Sequence, residues 1–336
     1  MMLKVRKTQI PIEKRFPELA PEIVFAEPQK ALDEKFERAH PPLAVVTCHF
    51  NFANHIRPVQ NLRRFVRQIE RDGIPVYGIE AVIKGGAPPA MANKSRWEVV
   101  ELSQHGVLWQ KEALLNKAAL GLVPDSVPYI AAIDADVWFE NPDWSKDTIE
   151  TLSGGTKAMQ PFSLCVWSSR DGEIELVRES ATKGGLDHTW RGHPGFAWAF
   201  HRSFFEQVGF YPWAVLGSGD TATSAGLLDT DMVSTTKKGI GFRQFKNGVY
   251  DTWRGLAQEW MDGSRAGWID GAIWHEWHGT RKNRKYADRA EIVANAYDAC
   301  RDVSLTDEGW LEWTRYAHPK LMSQVANYFT ERKEDG

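Results

Sequence analysis

The chain alternates short apolar runs with segments whose apolar residues recur at helical spacing. Leu43-Ala44-Val45-Val46-Thr47 is rich in β-branched residues and predicts a buried strand. From Ile56 to Asp72, apolar residues recur every three or four positions and arginines occupy the other faces, which predicts a helix that stops at Gly73. A second strand is predicted from Ile74 to Val82. Strand, helix and strand in this order indicate a βαβ unit of a parallel sheet.

The same alternation continues in the middle of the chain. Trp109 to Leu122 predicts a helix, and Tyr129 to Ile133 predicts a buried strand that runs directly into Asp134-Ala135-Asp136. Ligands of open parallel sheets bind beyond the carboxyl ends of the strands, so these two acids lie where chemistry is expected. The predicted fold class is α/β, with a Rossmann-like, mostly parallel sheet flanked by helices.

Three segments of the chain differ in pattern. Residues 1–40 are charged, contain four prolines and show no period, so they predict an N-terminal arm. Residues 41–290 carry the strand and helix pattern and are predicted to form the main domain. Residues 291–336 are predicted to be a C-terminal helical extension, because the pattern turns helical from Asp288 to Asp302 and from Thr306 to Thr330.

Composition narrows the class of protein. With 336 residues, 43% of them hydrophobic, the chain can bury a full core, and its net charge of -3 argues against a surface built throughout to wrap nucleic acid. Cys48, Cys165 and Cys300 include no CxxC pair, which favours a reducing, cytoplasmic location. No signal peptide is evident and no apolar run approaches the roughly 20 residues that span a bilayer, so we expect a soluble protein without membrane insertion.

Two carboxylates one residue apart at a strand end can jointly face a cation. Asp134 and Asp136 supply hard oxygen ligands that suit Mg²⁺ or Mn²⁺, and these ions bind diphosphate oxygens. A second such pair, Asp229 and Asp231, follows a Gly/Ser/Thr-rich stretch instead of a strand. We therefore predict metal or nucleotide contact for the first pair. The alternative for Asp136 is a helix or turn cap.

Two histidines three residues apart follow later, in Trp274-His275-Glu276-Trp277-His278-Gly279. An isolated pair at this spacing is usually not a pair of ligands, but the upstream acids leave a coordination sphere incomplete. A neutral imidazole suits that position. We predict that at least one of His275 and His278 is a metal ligand, and the HExxH spacing of zinc proteases is absent.

Asp220 is a candidate general base. It ends the Gly-rich sequence Gly217-Ser218-Gly219-Asp220, and transfer to an alcohol requires that a hydroxyl lose its proton. The alternative is a turn aspartate held by local amides.

Fifteen tryptophans offer flat faces for sugars or bases, although an aromatic-rich core explains them equally well. The candidates for a sugar-binding floor are Trp198, Trp213, Trp253 and Trp274. A basic segment follows the histidines and could meet a diphosphate, or be a solvated loop; it contains Arg281, Lys282, Arg284, Lys285 and Arg289.

The order of these elements, from Pro41 to Arg289, resembles the GT-A class of nucleotide-sugar glycosyltransferases, close to glycosyltransferase family 2-like members. The features that carry the resemblance are Thr47-Cys48-His49 at the first strand end, Glu80, the helix from Lys111 to Asn116, Asp134-Ala135-Asp136, the stretch from Gly195 to Arg202, Asp220 and the late histidine.

The resemblance implies a metal-dependent, inverting transferase with a GT-A domain over residues 41–290. Its donor would be a nucleotide-sugar, with a UDP-sugar favoured, and its cofactor Mn²⁺ or Mg²⁺. The implied donor contacts are Thr47, Glu80, Lys111, Asn116 and Asp134. The implied metal ligands are Asp134, Asp136, His275 and His278, with His278 favoured because the glycine after it eases close approach of the backbone. Asp220 would be the base, although Gly219-Asp220 departs from the commoner Glu-Asp pair.

The acceptor is open at this point. Family 2-like transferases act on glycans, lipids, proteins and, in some phages, 5-hydroxymethylpyrimidines in DNA; the arginines between Arg57 and Arg71 and the late basic segment keep DNA among the candidates. A different class of function is a non-catalytic carbohydrate- or nucleic-acid-binding protein. A nucleotidyltransferase is disfavoured, since Thr47 to Asn54 has no Gly or Lys for a phosphate loop.

Overall fold

The computed structural model describes residues 36, 41–186, 191–230, 244–245, 247–280, 283, 286–294 and 296–336. The strands are β1 Leu43–Phe50, β2 Val76–Ile83, β3 Trp97–Leu102, β4 Tyr129–Ile133, β5 Val137–Phe139, β6 Ala158–Gln160, β7 Leu164–Ser168, β8 Ile174–Ser180, β9 Gly192–His193, β10 Ala197–His201, β11 Gly267–Trp268, β12 Ala272–His275, β13 Val303–Leu305 and β14 Leu311–Trp313. The α-helices are α1 Ile56–Arg71, α2 Lys111–Gly121, α3 Trp144–Ser153, α4 Ala181–Gly184, α5 Ser203–Gln207, α6 Gly219–Leu227, α7 Gly248–Met261, α8 Tyr286–Ala294 and α9 Pro319–Glu331.

The predicted fold class is confirmed: a large, mostly parallel sheet is flanked by helices. Its strand order is β11-β6-β10-β4-β1-β2-β3. Strand β1 lies between β2 and β4 and is parallel to both, whereas β10 is antiparallel to its neighbours β4 and β6. The carboxyl ends of β1, β2 and β4 therefore meet at one edge, which is the arrangement expected from the GT-A resemblance.

The central strands are apolar on both faces because helices cover both. Leu43 and Val45 of β1 join a buried cluster with Leu62, Phe65 and other apolar residues of α1. Ala44 and Val46, which point to the opposite face, join a second cluster with apolar residues of α2. Alternate residues of one strand thus contact different helices, which explains why β1 is a continuous apolar run.

A second sheet, with strand order β5-β12-β7-β8-β9, brings two distant parts of the chain together. Strand β12 is antiparallel to β5, with Trp274 opposite Trp138 and His275 opposite Val137. The two indole rings stack with their centroids 5.3 Å apart. Because β5 begins directly after Asp136, this pairing places His275 beside that aspartate.

The predicted C-terminal helical extension is partly wrong. Helices α8 and α9 are present, but β13 and β14 between them form an antiparallel hairpin. Val303 and Leu305 alternate with polar Ser304, and Leu311 and Trp313 alternate with Glu312, which is the period of a strand and not of a helix. The limits of the three segments otherwise stay a prediction.

The predicted N-terminal arm lies outside the described residues except for Phe36, whose buried ring lies 4.7 Å from the guanidinium carbon of Arg96. Across the described ranges, none of the helices has the length and apolar character needed to cross a bilayer.

Candidate functional site

A cavity of about 240 Å³ opens at the carboxyl edge of β1 and β4. Most of the residues singled out in the sequence line it: Thr47, Lys111, Asp134, Asp136, Asp220, His275 and His278. Glu80 and Asn116 do not line this cavity. The structure thus joins residues that are up to 231 positions apart at one place.

Asp136, His275 and His278 form a compact group on the wall of the cavity. Oδ2 of Asp136 lies 2.8 Å from Nε2 of His278 and 3.6 Å from Nε2 of His275. The two Nε2 atoms are 3.2 Å apart, and both histidines are buried. All three side chains offer one ligand atom within 4.8 Å of the others, which is the spacing of a metal site.

The three candidate ligand atoms of Asp136, His275 and His278 fit a divalent cation. One carboxylate and two imidazoles leave coordination positions open, and this combination suits a transition metal. Mg²⁺ prefers oxygen ligands alone, so the two histidines favour Mn²⁺ over Mg²⁺.

Backbone contacts hold the segments that carry the three candidate ligands and the neighbouring Asp134. Asp134 N donates to Phe196 O at 2.8 Å, and Glu276 N donates to Asp136 O at 2.7 Å. The hydroxyl of Ser168 donates to His275 O at 3.0 Å. After His278 the chain turns at Gly279, whose φ of +86° favours glycine. Neighbouring strands and a tight turn therefore hold the backbone of the three candidate ligands in place.

Asp134 lies beside the group of three but pairs with Lys111 at the start of α2. The Nζ of Lys111 is 2.5 Å from Oδ1 of Asp134. Burial opposes the charge of Lys111, but the carboxylates of Asp134, Asp220 and Glu112 together raise its pKa above the ordinary value. Burial also raises the pKa of Asp134, and Lys111 opposes that rise. Lys111 is therefore a fixed cation in the cavity wall, and a metal-ligand role for Asp134 stays a prediction.

The Gly-rich sequence predicts a loop or turn at Asp220, but the residue lies in the first turn of α6. Its Oδ1 accepts a hydrogen bond from Thr221 N at 2.8 Å, so local amides do hold it. Its Oδ2 lies so close to Gly195 that a Cβ there would be 2.6 Å away. Asp220 also lines the cavity, and its role as a base stays a prediction.

Three residues predicted to contact the nucleotide-sugar, Thr47, Asn116 and Glu80, hydrogen-bond to other parts of the protein. The Thr47 hydroxyl donates to Ile133 O at 2.7 Å and ties β1 to β4. Asn116 donates to Phe210 O and accepts from Phe210 N, which uses both ends of its amide. Glu80 lines a second cavity of about 250 Å³, and its carboxylate pairs with Nδ1 of His49 at 3.1 Å.

Backbone N–H groups of Ala90 and Met91 also donate to Glu80. Burial alone would raise the pKa of Glu80, but the hydrogen bonds from His49, Ala90 and Met91 lower it. Glu80 is thus held as a carboxylate beside His49. Nucleotide contacts of Thr47, Glu80 and Asn116 stay predictions.

The tryptophans named as candidates for a sugar-binding floor do not line the cavity. Trp198, Trp253 and Trp274 are buried in apolar clusters, and Trp213 is partly buried against two of them. Among the described residues, the indoles that line the cavity are those of Trp109, which is partly buried, and Trp167, which is buried. Sequence alone does not separate these two groups, because both sit in apolar surroundings.

Sequence reasoning also missed Glu112, which follows Lys111 on α2 and lines the cavity. Its Oε2 is buried and has no hydrogen-bond partner among the described residues. Burial raises the pKa of Glu112 to about 8, with Lys111 opposing and Asp220 adding to the rise. Its position next to Lys111 at the start of α2 is the sequence feature that could have indicated a place in the cavity. Other lining residues that it missed include His193, Tyr328, Arg332 and Glu334.

The remaining candidates lie elsewhere. Asp229 follows α6 and pairs with Arg254 at 2.7 Å, away from the cavity, and Asp231 lies outside the described residues. Arg281, Lys282, Arg284 and Lys285 also lie outside them, whereas Arg289 lines the cavity with its Nη1 3.2 Å from the Tyr328 hydroxyl. On α1, Arg64 pairs with Glu276 and the guanidinium of Arg57 lies 5.7 Å from the ring of Trp277.

No family model matches the sequence. No curated protein matches it significantly either. Among solved structures, the chain is similar to mannosyl-3-phosphoglycerate synthase from Rubrobacter xylanophilus, with 13% identity, 87% of this chain and 89% of that chain covered, and a TM-score of 0.38. It is also similar to glucosyl-3-phosphoglycerate synthase from Mycobacterium tuberculosis in complex with Mn²⁺, UDP and glucosyl-3-phosphoglycerate, with 12% identity, 88% and 92% coverage, and a TM-score of 0.40.

A third similar structure is a mutant of Drosophila β1,4-galactosyltransferase 7 with manganese, UDP-Gal and xylobiose, with 11% identity, 81% of this chain and 94% of that chain covered, and a TM-score of 0.37. Likeness at this level fixes no activity, so the function below is inferred from the residues of the cavity.

Proposed function

We propose that this chain is a metal-dependent glycosyltransferase that moves a sugar from a nucleotide-sugar, with a UDP-sugar favoured, to an acceptor hydroxyl with inversion. The observation that carries the proposal is the group of Asp136, His275 and His278 in a cavity at the carboxyl edge of a mostly parallel sheet. A cation and a phosphate-bearing ligand are the chemistry that this place in such a sheet favours.

A nucleoside diphosphate would need a bound cation in this cavity. Lys111, Arg289 and Arg332 line the cavity, but so do the acidic residues Glu112, Asp134, Asp136, Asp220 and Glu334. A divalent ion would add positive charge to that of the three basic residues and favour a diphosphate. Asp136, His275 and His278 would hold the ion. A bound divalent cation would neutralise the negative charge that develops on a diphosphate leaving group.

Asp220 is proposed as the general base. Its carboxylate would accept the proton of the acceptor hydroxyl while that oxygen attacks the anomeric carbon. Attack from the face opposite the leaving group inverts the anomeric configuration. The partly buried Trp109 lines the same cavity and could meet the apolar face of a sugar ring, and the buried Trp167 also lines it.

Release of nucleoside diphosphate from a panel of UDP- and GDP-sugars tests the proposal. We expect release with Mn²⁺ and none with chelator, and Asp136→Ala should abolish it. The matched control is Asp229→Ala, which removes the exposed aspartate of the second D-x-D outside the cavity and should leave release unchanged.

Acceptors are then compared in the same assay. The panel holds small glycans, phosphorylated small molecules and duplex DNA with 5-hydroxymethylpyrimidines. Absence of release with every donor, together with metal-independent binding of a glycan or of DNA, would replace the proposal with the non-catalytic binding protein.

A further inference from the structure

The last residues of the chain reach the metal group. Oε1 of Glu334 lies 3.0 Å from Nδ1 of His278. A carboxylate can only accept, so the proton of this hydrogen bond is carried by Nδ1. In the neutral ring that leaves the lone pair on Nε2, which lies 2.8 Å from Oδ2 of Asp136, so a cation bound by both atoms would replace the proton that this contact otherwise needs. Glu334 therefore selects the tautomer of His278 in which Nε2 can bind a cation.

Glu334 is itself held in place. Nη2 of Arg332 lies 2.5 Å from the same carboxylate oxygen, Oε1, and the Glu334 side chain is only 15% exposed. The guanidinium of Arg332 lies 5.2 Å from the ring centre of Trp109 and 5.8 Å from that of Tyr328. This aromatic packing and the ion pair together limit the motion of the carboxylate next to His278.

Asp335 connects the C-terminal segment, residues 332–335, to α1. The carboxylate of Asp335 accepts hydrogen bonds from the backbone N–H groups of Ile56 and Arg57, at 3.0 and 2.7 Å. These are donors that the first turn of a helix leaves unsatisfied. Nδ1 of His55 is 3.6 Å from the same carboxylate. The hydrogen bonds to α1 lower the pKa of Asp335, although the little burial it has acts the other way.

The backbone at Gly279, directly after His278, packs closely against this segment. A Cβ at Gly279 would be 2.8 Å from the carbonyl oxygen of Lys333, so only glycine allows the two backbones to approach. Arg332 and Glu334 of this segment line the cavity, so the contacts with His278, Gly279 and α1 hold part of its wall.

We propose that residues 332–335 are part of the metal site and that Glu334 positions His278 for the cation. The inference deepens the proposed function and rests on its metal site, but not on its sugar donor. Carboxylates that accept from the second nitrogen of a ligand histidine fix the orientation and basicity of the ring, and their loss costs about 10- to 100-fold in metal affinity.

Calorimetric titration of the nucleotide-free, full-length chain with Mn²⁺ tests the role of Glu334. Glu334→Ala should weaken Mn²⁺ binding about 10- to 100-fold. Glu334→Gln should retain part of the affinity, because an amide oxygen still accepts from Nδ1 of His278. The matched control is Glu308→Ala, which removes an exposed carboxylate from the turn between β13 and β14 and should bind Mn²⁺ as the parent does.

Asp335→Ala provides a second variant that leaves the contact between Glu334 and His278 chemically intact. We expect weaker Mn²⁺ binding from it as well, because the segment loses its attachment to α1. If Glu334→Ala and Glu308→Ala bind Mn²⁺ with equal affinity, the role of Glu334 is overturned and the proposed function stands. If the parent binds no Mn²⁺, both are overturned. A parent that binds Mn²⁺ with the expected order of variants but no nucleotide-sugar overturns only the proposed donor.

Discussion

The Nζ of Lys111 lies 2.5 Å from Oδ1 of Asp134, and this ion pair joins the first residue of α2 to the end of β4. Both side chains are partly buried, with 20% of Lys111 and 27% of Asp134 exposed, and each favours the charged form of the other. Both line the cavity together with Glu112. The pair therefore serves both the stability of the fold and the charge of the cavity.

Lys111→Met should lower the free energy of unfolding by about 2 kcal/mol, because Asp134 loses its charged partner. It should also weaken nucleotide-sugar binding, since the cavity loses a cation. Urea unfolding and a donor titration measure the two effects. Lys146→Met is the control: this lysine is 70% exposed on α3, and its loss should change neither quantity. Equal behaviour of the two variants would contradict a role for the pair.

Asp220→Asn should separate binding from turnover. The variant keeps the shape of the side chain and its local hydrogen bond, so donor binding should match the parent. Turnover should fall about 100- to 10,000-fold, the range that a general base supplies. Donor titration and initial rates measure both. A variant with the parent's turnover would exclude Asp220 as the base.

Glu112 should make stability depend on pH. Its pKa is about 8 in the folded chain and 4.5 in an ordinary glutamate, so between these values the folded state holds a proton that the unfolded state has released. The free energy of unfolding should then fall as pH rises from about 5 to 8, and level off above.

Glu112→Gln carries no such proton and should lack this decline. The parent and the variant should melt alike near pH 5, and the parent should melt lower near pH 9, in buffers with chelator. Melting curves of both across this range are the measurement. A difference between them that does not change with pH would show that Glu112 is an ordinary carboxylate.

Replacement of two glycines by alanine should change the stability of the fold in opposite directions. A Cβ at Gly219 would collide with the carboxyl of Glu112, so Gly219→Ala should cost about 1 to 3 kcal/mol of stability. Gly255 lies within α7 with nothing near its Cβ position, so Gly255→Ala should stabilise by about 0.5 to 1 kcal/mol. Denaturant unfolding of both variants measures this. A neutral Gly219→Ala would mean that Glu112 does not pack against α6 as described.

Much of the central sheet could be predicted from sequence because its strands and helices carry strong local patterns. The helix Ile56–Arg71 and the strand Tyr129–Ile133 match their predicted limits within one residue. The hairpin of β13 and β14 was missed because its strands are only three residues long, which is too short for a period to stand out from a helix.

The site could be predicted only in part, for a physical reason. Asp136 and the two histidines have residue types and surroundings that suggest ligands. Glu334 and Arg332 follow the end of α9 as ordinary charged residues, and their role depends on the chain returning to His278. Trp167 is likewise buried among apolar residues and differs from the other buried indoles in lining the cavity.

In the proposed function, Asp136, His275 and His278 hold a cation that supports binding of a nucleotide-sugar. The most direct measurement is the melting temperature of the parent and of His278→Ala with UDP-sugars, in Mn²⁺ and in chelator. A ligand at about 100 times its dissociation constant stabilises the fold by roughly 2.7 kcal/mol, which such an assay resolves. We predict a Mn²⁺-dependent rise with at least one UDP-sugar for the parent and none for His278→Ala; a parent that shows no rise with any nucleotide-sugar, or the same rise in chelator, would contradict the account.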